Sequence, residues 1–185
     1  TDGLATGTAQ VRDTIAGTTE QISVTVDGVD DDTDVDVERA PVSGNGRYVA
    51  FYSWASNLVT GDTNGYSDVF VRDLQSGGTE RVSVSSGEAQ GNGPSSYPSI
   101  SADGRYVTFE SEAPNLVGGD TNGTWDIFVR DRQSGTTERV SVDSGGVQSN
   151  GPSSSASISV DGRYVAFSSL ATNLVSEETN PWEDI

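Results

Sequence analysis

The residues best suited to chemistry are side-chain oxygens at a fixed spacing. Asp62-x-Asn64-Gly65-x-x-Asp68 recurs as Asp120-x-Asn122-Gly123-x-x-Asp126, and again as Glu178-x-Asn180-Pro181-x-x-Asp184. Alternating oxygen ligands, a turn-making glycine and a later carboxylate match the second half of a calcium loop, and calcium takes about six to eight such oxygens. The first ligand of that loop is missing, because Thr60, Gly118 and Ser176 occupy its place. Two readings follow. Calcium is held by Asp62, Asn64, Asp68, Asp120, Asn122, Asp126, Glu178, Asn180 and Asp184, or these side chains cap turns through their own backbone. Asn122-Gly123-Thr124 is also a glycosylation sequon and competes for Asn122. A run of aspartates, Asp30-Asp31-Asp32-Thr33-Asp34-Val35-Asp36, reads as a solvated loop rather than a chelator.

Other chemistries are excluded by composition. The chain has no Cys and no His, which removes thiol nucleophiles, thiolate metal sites, imidazole acid–base catalysis and His-ligated zinc. Glycoside hydrolysis needs two carboxylates facing each other. Here every candidate belongs to a repeated pattern, and no serine stands beside a base. A non-catalytic protein is expected. The dipeptides Arg12-Asp13, Arg72-Asp73 and Arg130-Asp131 recur in equivalent places. Such replication points to architecture, with each arginine bonding a carboxylate or the loop carbonyls of a neighbouring unit. Trp54, Trp125, Trp182, Tyr66 and Tyr97 lie near loops, where they either pack between elements or grip a sugar or protein partner.

Net charge is −18, and all ten cations are arginine. Such a surface repels nucleic acid and anionic membranes, and salt screens its self-repulsion. An acidic, lysine-free chain resembles proteins of salt-loving organisms. No apolar run is long enough for a transmembrane helix. A first residue of Thr rather than Met fits a mature secreted protein, a processed piece or a trimmed chain. An extracellular or cell-surface location is expected.

The elements that carry these residues repeat. Arg47, Arg105 and Arg163 are spaced by 58 residues, as are Arg72 and Arg130. Thr79-Glu80-Arg81-Val82-Ser83-Val84 returns as Thr137-Glu138-Arg139-Val140-Ser141-Val142. One unit reads as four strands: Tyr97 to Ser101, Arg105 to Ser111, Asp126 to Asp131 and Thr137 to Val142. The first two are joined by an Asp103-Gly104 hairpin turn, since Asp-Gly accepts positive φ cheaply. No helical period is sustained, so the chain is all-β. Four short strands per repeat are the pattern of a β-propeller blade. Residues 1–185 form one repeat domain: a half-blade over about 8–26, blades over about 39–84 and 97–142, and a half-blade over about 155–185.

Ser101-Ala102-Asp103-Gly104-Arg105-Tyr106-Val107-Thr108-Phe109, followed by Asp126-Ile127-Phe128-Val129-Arg130-Asp131, resembles the repeat of TolB-like propellers, the Ser-Pro-Asp-Gly relatives of WD repeats. Ser159 to Phe167 matches equally, while Ser43-Gly44-Asn45-Gly46 departs at the turn. The resemblance covers nearly the whole chain and implies a β-propeller with three four-stranded blades per chain. Two complementary half-blades then suggest a homodimer closing a six-bladed ring, because unpaired strand edges are avoided. The function expected is a non-catalytic extracellular scaffold binding a protein or glycan, with no nucleic acid and no membrane insertion. Two alternatives stand beside it: a fragment or accessory propeller domain of a larger hydrolase, and a designed or recombined repeat.

Overall fold

A computed structural model describes residues 9–23 and 40–175. Among these residues there are eleven strands and no helix. β1 (Gln10–Arg12) pairs with β2 (Thr19–Gln21). β3 (Tyr48–Ser53), β4 (Asp68–Asp73) and β5 (Thr79–Arg81) form a second antiparallel sheet. β6 (Ser95–Ile100), β7 (Tyr106–Ser111), β8 (Asp126–Asp131) and β9 (Thr136–Arg139) form a third. β10 (Ser153–Ile158) pairs with β11 (Val165–Ser169). Within each sheet the pairings follow chain order, so its strands are joined as antiparallel hairpins.

The expected strands are present with shifted ends, and the shifts have physical causes. Among the described residues only β6–β9 has all four strands. In the preceding sheet the first strand shrinks to a single bridge, Val42 to Val49. Pro41 has no N–H to give, although its carbonyl still accepts from Ala50 N at 3.0 Å. The last strand of each unit ends before the expected valine because a serine hydroxyl takes over the ladder. Val69 N donates to Ser83 Oγ, and Ile127 N to Ser141 Oγ, each at 3.1 Å. The chain then leaves the sheet. In β6 and β10 a bulge places Tyr97 (φ 49°) and Ser155 (φ 58°) in the left-handed region.

The central strands are buried on both faces, apolar side chains alternating in β7 with buried Thr108 and Glu110. Alternation sorts each strand between two neighbouring sheets. Val49, Phe51 and Phe70 face Ala9 and Ile22 of the β1–β2 unit. Ala50, Tyr52, Val69 and Val71 face Val107, Phe109 and Phe128 of the next sheet. The two inner sheets thus each turn a stacked phenylalanine pair backward, Phe51–Phe70 and Phe109–Phe128, both with centroids 5.8 Å apart.

The hairpin turns also stack. Asn45 N donates to Ala102 O, and Ala102 N donates to Val160 O, both at 3.0 Å. Beside them Tyr48 lies on Gly104 and Tyr106 on Gly162. A Cβ added at either glycine would come within 2.1 or 2.2 Å of the ring. The Asp-Gly turn therefore serves close packing as well as positive φ.

Candidate functional site

The recurrent carboxylates do converge, and an arginine lies among them. Arg81, at the end of β5, reaches both Asp62 and Asp68 at 3.1 Å. Asp68 is fully buried. It also accepts from Ser83 Oγ at 2.5 Å and from Asn64 Nδ2 at 2.8 Å. The second copy repeats this: Arg139 reaches Asp120 at 3.0 Å and Asp126 at 3.5 Å. Asp126 accepts from Ser141 Oγ at 2.5 Å, Ser149 Oγ at 2.8 Å and Asn122 Nδ2 at 2.8 Å. Gly65 (φ 72°) and Gly123 (φ 64°) make the turns. The amide oxygens of Asn64 and Asn122 accept from the backbone N–H two residues on, which is turn-capping behaviour. Among the described residues no group of three or more His, Cys, Asp or Glu is placed to hold a metal. Glu178, Asn180 and Asp184 lie outside the described residues, as does the Asp30–Asp36 run.

The electrostatics are those of two anions sharing one cation. Burial, then the neighbouring Asp68, pushes the Asp62 carboxyl above its usual range. Burial likewise raises Asp68 and Asp120 against the opposing pull of their arginines. Sequence reasoning saw Arg81 and Arg139 only as matching letters of a repeat. It also missed Gln90 and Gln148, which clamp the loops by donating to Thr63 Oγ1 and Thr121 Oγ1 at 2.7 Å. The repeated Gln-x-Asn-Gly-Pro-Ser-Ser was the available signal.

The Arg-Asp dipeptides divide their work. Asp73 and Asp131 each receive a bidentate arginine from the start of the strand beside them. Arg47 bonds Asp73 at 2.9 and 2.7 Å, and Arg105 bonds Asp131 at 2.8 and 2.7 Å. These arginines hold both carboxyls well below the usual range. Arg130 reaches back to the crossing segment, bonding Ser85 O at 3.2 Å and pairing with Glu88. Arg72 stays within its sheet, on Thr79 Oγ1 at 3.1 Å.

Two departures from the repeat meet in one cluster. Glu110 occupies the place held by Tyr52 one unit earlier, and Trp125 that of Ser67. With Tyr97, Pro152 and Leu170 they line a cavity of about 360 Å³ at the seam between β6–β9 and β10–β11. Glu110 is buried and accepts from Ser155 N at 2.6 Å, which secures the left-handed Ser155. Trp125 and Tyr97 are half-buried, Tyr97 beside Tyr52 at 5.6 Å, whereas Trp54 and Tyr66 are exposed. Trp182 lies outside the described residues.

No family model matches the sequence, and no curated protein sequence matches it. Solved structures do. The chain is similar to TolB from Acinetobacter baumannii, at 20% identity and TM-score 0.51, over 87% of this chain and 31% of that one. The fold is that of a TolB-like β-propeller. The tricorn protease gives TM-score 0.53 at 16% identity, over 88% of this chain and 13% of that one. A structure from a study of two prolyl endopeptidases gives 0.50 at 17% identity, over 87% of this chain and 22% of that one. The TolB-like chain thus spans less than a third of the length of each of these proteins. In propeller terms the sheets are blades, and the Arg81 and Arg139 clusters lie on the long loops between second and third strands.

Proposed function

We propose that this TolB-like segment is a non-catalytic, extracellular or cell-surface scaffold that binds a polar ligand, a glycan or peptide, at the Glu110 cleft. The observation that carries this is the departure from repetition. Glu110 and Trp125 replace Tyr52 and Ser67 of the preceding unit and share one cavity. Aromatic faces beside a carboxylate suit stacking on a sugar ring with hydrogen bonds to its hydroxyls. The test is a panel of oligosaccharides and short peptides followed by titration calorimetry. Binding by the native chain that is lost in Trp125→Ala and weakened in Glu110→Gln supports the reading. Equal binding by all three proteins, or none by the native chain, rejects it.

The likeness to segments of two peptidases favours a second reading, an accessory blade set of a larger hydrolase. A parent chain that continues into a catalytic domain would establish it. In either reading, we propose that arginine supplies the positive charge of the loop clusters in place of calcium. Calcium would have to displace Arg81 from Asp62 and Asp68, and Arg139 from Asp120 and Asp126. Calcium and magnesium are then expected to raise the melting midpoint equally, by screening. A calcium-selective rise of several degrees at millimolar ion would assign the loops to calcium instead.

A further inference from the structure

Within the inner blades one three-part arrangement recurs: an arginine, an aromatic ring and a carboxylate. Arg47 lies 4.9 Å from the centre of the Tyr48 ring and bonds Asp73. Arg105 lies 4.8 Å from the centre of the Tyr106 ring and bonds Asp131. Arg132 lies 4.4 Å from the centre of the Tyr48 ring and pairs with Glu80. The chemistry is the same each time. A guanidinium is planar, weakly hydrated and always charged, so it rests on the negative face of a ring while its N–H groups serve a carboxylate.

The Glu110 cleft holds two of the three parts. Its lining includes the Glu110 carboxylate, the rings of Tyr97 and Trp125, and the apolar side chains of Pro152 and Leu170. Among the described residues that line it there is no arginine. The exchange of Tyr52 for Glu110 one unit later puts a carboxylate where a neutral phenol stood. Glu110 accepts from Ser155 N at 2.6 Å, and a carboxylate has acceptor sites beyond that one. The backbone around the cleft is strained as well. Of the three described non-glycine residues with φ in the left-handed region, two lie at this seam, Tyr97 at 49° and Ser155 at 58°. Strain of this kind persists where the surroundings hold it in place, and it gathers at ligand sites.

Resting on the cleft reading above, we propose that the ligand is a peptide and that it brings the third part, an arginine side chain. Its guanidinium meets Glu110 and the rings of Trp125 and Tyr97, and its methylene stem runs along Pro152 and Leu170. The cavity, about 360 Å³, has room for one long side chain. The net charge of −18 draws a cationic segment toward the protein from a distance. A neutral sugar stacks on the same rings, yet a hydroxyl such as Tyr52 carries would serve it as well as a carboxylate does. The charge brought by Glu110 therefore selects the cationic peptide over the glycan.

Titration calorimetry of the 185-residue chain tests this with two end-blocked peptides. One is Gly-Ser-Arg-Ser-Gly, and the other carries citrulline in place of the arginine, which keeps the shape and removes the charge. Both are measured in about 1 M salt, where the screening length is about 3 Å and the general pull of the acidic surface is silenced. The arginine peptide should bind roughly tenfold or more tightly than the citrulline peptide, as a cation desolvated on a ring and a carboxylate does. Glu110→Gln keeps an oxygen for Ser155 N, and in that variant the preference should vanish. Trp125→Ala should weaken the arginine peptide. The first comparison uses the native chain alone, so it decides the matter even where a variant fails to fold. Equal binding of the two peptides by the native chain, or a preference that survives Glu110→Gln, overturns the proposal. If oligosaccharides bind and are lost in Trp125→Ala while the arginine preference is absent, the cleft reading stands and the arginine assignment falls. If neither peptide nor any oligosaccharide binds, both fall together.

Discussion

At the scale of single residues, the shared guanidinium makes paired carboxylates unequal. Asp68 is fully buried and binds Ser83, Asn64 and Arg81, so removing it leaves Arg81 with Asp62 alone and takes the carboxylate from two polar side chains inside the blade. Asp68→Ala and Asp126→Ala should each cost about 3–5 kcal/mol. In a chain of this length that lowers the melting midpoint by about 2–4 °C per kcal/mol. Asp62→Asn should cost less than about 1 kcal/mol, because burial and Asp68 already oppose its ionised form. A calorimetric comparison of the three variants checks this ranking, and equal losses would contradict it. The pH response separates a second set. Asp131 titrates below its ordinary value of 3.8, so the stability it adds is present above that value and lost as pH falls through it. Asp62, Asp68 and Asp120 act in the opposite sense, since their raised values let them take up protons and relieve buried charge as pH approaches 3.8 from above. The acid limb of the stability curve below about pH 4 should therefore be flatter in Asp131→Asn than in the native chain. Melting curves across pH 5 to 2.5 decide this, and a steeper limb in the variant would show the sign to be wrong.

At the scale of elements, the hairpin turns carry a load that their residue types announce only in part. Gly65 and Gly104 both have positive φ, at 72° and 75°. Only Gly104 lies under a ring, that of Tyr48, which Arg132 covers from 4.4 Å. Gly65→Ala should cost about 1–2 kcal/mol for the left-handed backbone alone. Gly104→Ala adds a steric collision and should cost about 1–3 kcal/mol more. Truncating Tyr48 in the Gly104→Ala background should recover part of that difference in urea midpoints. The same turn shows what was legible beforehand. Asp103-Gly104 announces a hairpin because local φ preferences lie in the residue types themselves, and alternation in Arg105 to Ser111 announces a strand for the same reason. That Tyr48, from the previous blade, sits on Gly104 is a relation between residues 56 positions apart, which no local pattern encodes. The carboxylate loops pose a different difficulty. Their spacing suggested calcium ligands, but Arg81 arrives from a strand after the loop, and only the folded hairpin brings it between Asp62 and Asp68. Glu110 and Trp125 were visible as letters, yet that they share one cavity emerges only in the folded chain.

At the scale of the whole molecule, charge and stacking set the behaviour. A net charge of −18 on 185 residues opposes compaction, so the melting midpoint should climb as sodium chloride rises from about 0.01 to 1 M, across which the screening length falls from about 30 to 3 Å. A midpoint that falls over that range would show that attractive surface pairs, such as Arg47–Asp73, outweigh the general repulsion. Because Tyr48 lies on Gly104 of the next blade and Tyr106 on Gly162 of the one after, the stack has a direction, like a row of tiles with tongue and groove. Unequal recombination that duplicates one 58-residue unit in the gene would insert a blade already fitted on both sides, with no new interface to evolve. An inverted or half-unit insertion would meet tongue with tongue. Such a lineage can change its number of blades by whole repeats far more readily than it can change the shape of any one of them.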